Sequence, residues 1–302
     1  MGAPSRFWWV VVAVALATGV LTSPANAAIR PDPTRAAQDK PAGYGDGCHL
    51  GQRATTPKAC VYGDKSARRT ITLVGDSKAR QWLPTLDRYG KTEKWRIVAH
   101  TKSACSFTQA DVAPAGSTKR YTSCLAWNDK VLRRLRTDKP RIVVVALYNK
   151  DARASARART DAERRTAMVK GLRSSWRSLT RAGTRVVVLN STPYIGTPYA
   201  DHPTWQAADC VAAHRSYAGT CDVPAAAALQ SHAVWTDAER SRVLHGLRRV
   251  SLVDLNPRLC SAQTCPVVIG ETLIYRDNHH LTATAARSLY PALRDQLAPL
   301  LR

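Results

Sequence analysis

Two short stretches of this chain carry residue types that together can activate a hydroxyl. The first is Ile71-Thr72-Leu73-Val74-Gly75-Asp76-Ser77, a β-branched run that ends in Gly-Asp-Ser and passes straight into a helical pattern. A strand stopping there leaves the Ser77 hydroxyl at its carboxyl end, the edge where open α/β sheets bind ligands. The second lies far downstream: Tyr275-Arg276-Asp277-Asn278-His279-His280-Leu281. It offers imidazoles and a carboxylate close enough in sequence to project from one turn. A serine hydroxyl is a weak nucleophile until a base takes its proton, and a carboxylate that fixes the tautomer of that base completes the set. Asp76 is expected to shape the nucleophile turn by hydrogen bonding rather than to react.

The elements that must position these groups read as alternating strands and helices. Strands are expected at Arg69–Val74, Trp95–Ala99, Arg141–Leu147, Thr184–Leu189 and Val250–Leu255, each a short apolar or β-branched run of the kind a sheet covered on both faces requires. Helical patterns fall at Lys78–Tyr89, Cys124–Thr137, Thr160–Ala182 and Thr282–Leu301. The third is the clearest. Thr160 and Glu163 fit a capping box, and Gly183 stands at the C-terminal stop. Met168, Leu172, Trp176 and Leu179 line one face of it, and Lys170, Arg173, Arg177 and Arg181 line another. This alternation predicts an α/β fold with a parallel sheet of about five strands and helices on both faces. Pro266–Tyr275, with Gly270 near its middle, reads as a small hairpin presenting the Asp277 segment. Residues 103–123 and 191–236 are long, cysteine-bearing and loop-like, as stapled or functional loops are.

The chain has 302 residues and is 44% hydrophobic, enough to bury a sizeable core, with 45 Lys and Arg against 22 Asp and Glu, a formal charge of +23. Such an excess points to an anionic partner. Arg6 followed by the apolar run Phe7–Leu21 and then Ala25-Asn26-Ala27 matches a secretory signal with its cleavage site. An uncleaved anchor is the rival reading of residues 1–27. Either places the domain outside the cytoplasm. Residues 28–46, rich in Pro, Ala, Gly and charge, read as a flexible tether, and residues 47–302 as the catalytic domain. The eight cysteines, all downstream of the signal, fit disulfides in an exported chain. Their spacing favours sequential pairs: Cys48 with Cys60, Cys105 with Cys124, Cys210 with Cys221, Cys260 with Cys265. No C-x-x-C occurs and the histidines miss zinc-finger spacing, so no metal is expected. No cofactor is expected either.

With these residues in view the chain resembles the SGNH (GDSL-type) hydrolase superfamily, most closely the SGNH domain of membrane acyltransferases that O-acetylate cell-wall and surface polysaccharides. The resemblance rests on Val74-Gly75-Asp76-Ser77-x-Ala79-x-Gln81-Trp82-Leu83-Pro84, Thr101-Lys102-Ser103-Ala104-Cys105, Cys124-x-x-Trp127 and Tyr275-Arg276-Asp277-x-x-His280-Leu281, and spans about residues 45–300. It implies a flavodoxin-like three-layer sandwich with disulfide-stapled loops. It also implies Ser77 as nucleophile, His280 rather than His279 as base, and Asp277 as its orienting carboxylate. An acyl-transfer site needs donors aimed at the developing negative charge. The Ser77 backbone N–H is one. The family's Gly-x-Asn-Asp block is missing, which leaves the Asn149 side chain and the Ser103 backbone N–H as candidates, with Asp76 beside the nucleophile as a further candidate for substrate binding. Lys78 stands where the family often has histidine.

The expected function is a secreted serine esterase or O-acetyltransferase acting on acyl groups of wall or surface carbohydrate. Its expected partners are an O-acylated glycan, a membrane protein that supplies the acyl group, and an anionic wall polymer held by the basic surface. The alternative is a catalytically silent SGNH domain that binds wall polysaccharide. Nucleic acid is disfavoured because no nucleic-acid motif accompanies the charge.

Overall fold

The computed structural model describes residues 28–114, 117, 119–147, 160–196, 202, 204–229 and 237–301. The expected signal at 1–27 lies outside the described residues. Five parallel strands build the centre. In chain order the sheet strands are β1 (His49–Leu50), β2 (Cys60–Gly63), β3 (Thr70–Gly75), β4 (Arg96–Lys102), β5 (Ile142–Ala146) and β6 (Arg185–Leu189); then, past the off-sheet β7 (Val223–Pro224), comes β8 (Val250–Val253). They are ordered β1-β4-β3-β5-β6-β8, with β2 antiparallel on β4. The five long parallel strands therefore run second-first-third-fourth-fifth, the flavodoxin-like doubly wound order. The sheet is larger than expected: β1 and β2 extend its edge to seven strands. Both are short and sit on either side of the Cys48–Cys60 disulfide, which supplies the order that their few residues lack.

Alternate residues of each strand point to opposite layers. On β5, Ile142, Val144 and Ala146 face one core together with Leu83, Leu86, Leu293 and Leu297. Val143 and Val145 face a second core with Trp127, Val131, Met168, Leu172 and Trp176. The first layer holds α2 (Leu83–Glu93), α8 (Ala283–Ser288) and α9 (Tyr290–Leu297); the second holds α3 (Thr122–Asp138) and α4 (Asp161–Arg181). The α4 capping box forms as expected, with Thr160 Oγ1 accepting from the Glu163 N–H at 3.2 Å and Glu163 accepting from the Thr160 N–H at 3.1 Å. All four sequential disulfides are present.

Three expectations need correction. The helix expected at Lys78–Tyr89 is two: α1 (Ser77–Arg80) ends before α2, because Pro84 has no N–H to continue the ladder. The last helix breaks at Leu289 for the same reason, with Pro291 opening α9. The segment 28–46 is docked rather than loose. Ala36 is fully buried, the Arg30 N–H donates to the Glu271 carbonyl at 2.7 Å, and Asp39 Oδ2 accepts from the Thr284 N–H at 2.9 Å at the start of α8. The expected hairpin forms from β10 (Val268–Ile269) and β11 (Thr272–Leu273), after β9 (Thr264–Cys265), and turns at Gly270 with φ +59°.

Candidate active site

Strand β3 delivers Ser77 to the carboxyl edge of the sheet, beside the point where strand order reverses. Gly75 permits it. Its φ is +147°, and a Cβ there would lie 2.3 Å from the Ala146 carbonyl oxygen, so the ends of β3 and β5 approach as only glycine allows. Asp76 then caps α1, its Oδ1 accepting from the Lys78 N–H at 2.8 Å. Its Oδ2 accepts from Ser106 Oγ at 3.3 Å. Asp76 is buried, and this is the turn-shaping role expected of it.

The segment after the hairpin folds back on itself. Arg276 N–H donates to the His280 carbonyl at 3.0 Å, and Tyr275 bridges to Leu281. Within this loop Asp277 Oδ1 accepts from the His279 and His280 N–H groups at 2.9 and 2.6 Å. Asp277 Oδ2 lies 2.8 Å from His280 Nδ1. His280 Nε2 lies 2.9 Å from Ser77 Oγ. Hydroxyl, imidazole and carboxylate thus stand in one hydrogen-bonded line. His279 points elsewhere, its ring stacked on Tyr194 at 5.5 Å.

Burial lowers the His280 pKa below its ordinary value, although the Asp277 carboxylate pulls it up. A neutral imidazole at neutral pH, with Nδ1–H donated to Asp277, leaves Nε2 free to accept a proton from Ser77. Burial alone would raise the Asp277 pKa, but the hydrogen bond and charge of His280 and the backbone N–H donors hold it well below the usual carboxylate range.

Lys78 of α1 and Gln81, the residue that caps the C-terminal end of α1, clamp this loop, and sequence reasoning missed both roles. Lys78 Nζ donates to the His279 carbonyl and to Thr192 Oγ1 at 2.8 Å. Gln81 Oε1 accepts from the Leu281 N–H at 3.2 Å, and its Nε2 donates to Thr192 Oγ1 at 3.2 Å. The clamp grips the backbone on either side of His280. Positions 78 and 81 are three apart, one in α1 and one at its C-cap, a spacing that leaves little trace of the clamp in the sequence. Lys78 is wholly buried, and that burial pushes its pKa down to about 7 against the pull of Asp277 and Asp76. His49 is also close to this cluster of charges; burial, then Arg80 and His280, push it down to about 3.

The remaining candidates fare differently. The Ser103 N–H is spent on the Leu50 carbonyl at 2.8 Å, extending the β1–β4 pairing. It therefore does not point at Ser77 as a free donor, contrary to expectation. Asn149 lies outside the described residues. The Ser77 N–H opens α1 and is among the donors a helix leaves unpaired. Asp277, His279 and His280 offer ligand atoms within 4.8 Å of one another. Both Asp277 oxygens and His280 Nδ1 are already engaged with each other or with backbone N–H groups, so a metal there would have to break the line to Ser77.

The model for the SGNH domain (fused to AT3 domains) matches residues 47–295. The chain belongs to this family. Among solved structures, the SGNH chain is similar to the periplasmic domain of the lipopolysaccharide acetyltransferase of Salmonella ser. Paratyphi A. The two share 13% identity at a TM-score of 0.56, over 78% of this chain and 85% of that one. It is also similar to TesA at 19% identity, over 77% of this chain and 99% of that one, with a TM-score of 0.38. At these identities the first likeness is one of fold. No curated protein sequence matches. Among the described residues, no helix is long and apolar enough to cross a membrane.

Proposed function

We propose that this SGNH domain is an extracytoplasmic serine enzyme that removes or transfers small O-acyl groups, acetyl first among them, on wall or surface carbohydrate. The observation that carries the reading is the line from Ser77 Oγ through His280 to Asp277, at 2.9 and 2.8 Å. Ser77 attacks the ester carbonyl while His280 Nε2 takes its proton. Asp277 holds the imidazole tautomer and stabilises the imidazolium. The oxyanion forms beside the Ser77 N–H. As the intermediate collapses, His280 returns the proton to the departing alcohol, leaving an acyl-serine. Water, deprotonated by His280, then gives the free acid, or a sugar hydroxyl gives a new ester. The acetyltransferase named among the structural neighbours supports the acyl chemistry, and four disulfides support an oxidising compartment.

The test follows release of a chromogenic alcohol from an aryl acetate, with and without a chito-oligosaccharide acceptor. Ser77→Ala and His280→Ala are each expected to lower turnover by about three orders of magnitude or more while thermal unfolding is unchanged. Acetylated sugar among the products identifies transfer; acetate alone identifies hydrolysis. Folded wild type that shows neither turnover nor an acyl-serine by mass spectrometry refutes the enzyme reading.

A further inference from the structure

The layer that carries α3 and α4 presents a second feature unconnected with Ser77. A shallow groove of about 690 Å³ runs along the outer face of α4, lined by Arg136, Lys170, Arg173, Arg177 and Arg181 together with Ser174, Ser178 and Ala182. Among the described residues, no carboxylate lines it. Arg173 is committed to the fold, donating to the carbonyls of Arg242, Val243 and His245 at 2.6 to 3.0 Å around the end of α7 (Asp237–Leu244). The other four cations, Arg136, Lys170, Arg177 and Arg181, are exposed. No hydrogen bond or ion pair engages their side chains among the described residues. Elsewhere on the surface arginines do find acids, as Arg120 does with Asp111 and Arg134 with Asp138.

From these observations we infer that the groove binds a single extended polyanion, and specifically a phosphodiester-linked polyol or sugar chain. Lys170, Arg177 and Arg181, with the anchored Arg173 between them, recur about once per helical turn, so the row advances about 5.4 Å per position over about 16 Å of helix. Regularly spaced anions on one chain match such a row; a single small anion would use only one step of it. Guanidinium forks suit phosphate oxygens bidentately, and the Ser174 and Ser178 hydroxyls add donors between the charges. Nucleic acid is the other regular phosphodiester. Single-strand binders, however, interleave aromatic rings on which bases stack, and none of the described residues lining this groove is aromatic.

The groove is also remote from the chemistry. α4 leads into β6 and runs antiparallel to it, so the end carrying Arg177 and Arg181 lies towards the edge of the sheet opposite Ser77. Binding there retains the domain on a polymer without occupying the ester site, and it stands whether or not Ser77 proves catalytic.

The experiment is fluorescence anisotropy of labelled poly(glycerol phosphate) with the purified full chain, from 50 to 500 mM NaCl. Four cations predict that log K falls against log salt with a slope of about 3. Arg177→Gln/Arg181→Gln is expected to remove about half of that slope and to weaken binding at least tenfold at low salt. Lys65→Gln/Arg287→Gln, which removes the same charge from the opposite layer, is expected to keep nearly all of it. Thermal unfolding establishes that both variants fold. Equal losses in the two variants reduce the effect to net charge and overturn the site. Tighter binding of oligo-dT, or of polygalacturonate, than of poly(glycerol phosphate) overturns the choice of ligand.

Discussion

Replacing Lys78 tests the most unusual electrostatic feature of the site. The side chain is wholly buried, and burial holds its pKa at about 7 instead of the ordinary 10.5. Above pH 10.5 it is neutral whether the chain is folded or not, and it costs nothing. As pH falls from 10.5 towards 7, the unfolded chain takes up a proton that the folded one refuses. Unfolding then becomes tenfold more favourable for each pH unit, and stability falls through this window before levelling off below about pH 7. The whole span is on the order of 5 kcal/mol. Lys78→Met keeps most of the stem and removes the proton site. Thr192 Oγ1 still has Gln81 as a donor. The His279 carbonyl loses its donor, a cost of about 1–3 kcal/mol. The variant is therefore at least as stable as wild type near pH 7, and its relative stability declines steadily towards pH 10. Its kcat falls, because the backbone beside His280 is held on one side only. Urea midpoints of both proteins at pH 6 to 10.5 provide the measurement. A stability difference that stays flat from pH 7 to 10 would show that Lys78 takes up its proton equally in the folded and unfolded chain, so that burial does not lower its pKa, and the reasoning would fail.

Other expectations concern neighbouring parts of the same machinery. In the proposed mechanism the neutral His280 imidazole is the base, and burial lowers its pKa, so kcat/KM should fall on the acid side with a midpoint below pH 6.5; a midpoint at or above 7 contradicts the assignment. Gly75→Ala should destabilise the domain by about 3 kcal/mol or more, seen as a lowered urea midpoint, since the added methyl would lie 2.3 Å from the Ala146 carbonyl oxygen and 2.8 Å from the Ala79 Cβ. Cys105→Ala/Cys124→Ala opens a link across 19 residues and should cost about 3 kcal/mol; an unchanged thermal midpoint refutes a structural role for that staple.

What could be read from the sequence was whatever is local. The runs that became β3, β5 and β6 are apolar and β-branched because both faces are covered, and Val143 and Val144 serve different cores from adjacent positions. Thr160 and Glu163 declared the start of α4 within four residues. The disulfide partners are sequence neighbours, so their pairing followed from spacing. Contacts made at long range left weaker marks. Nothing near Lys78 or Gln81 says that they will hold the loop around His280. The two-residue β1 has no periodicity to detect. The composition of residues 28–46 suggests a tether, yet buried Pro33 and Ala36, backbone hydrogen bonds from Arg30 and the side-chain contacts of Asp32 and Asp39 dock it. Ser103 was offered as a free donor from its place in a loop; the β1 strand it pairs with was the element the sequence had not shown.

The hydrogen bond between His280 and Ser77 spans 203 positions of the chain, and the hairpin before His280 is stitched to Arg30. The order in which the polypeptide arrives therefore matters. Ser77 emerges early, on a strand that can pair long before its base exists. For most of synthesis its hydroxyl is an ordinary alcohol. On the proposed mechanism, reactivity appears only when the final helices close over the beginning of the domain, so a chain cut short at any point upstream of Asp277 would carry a harmless serine.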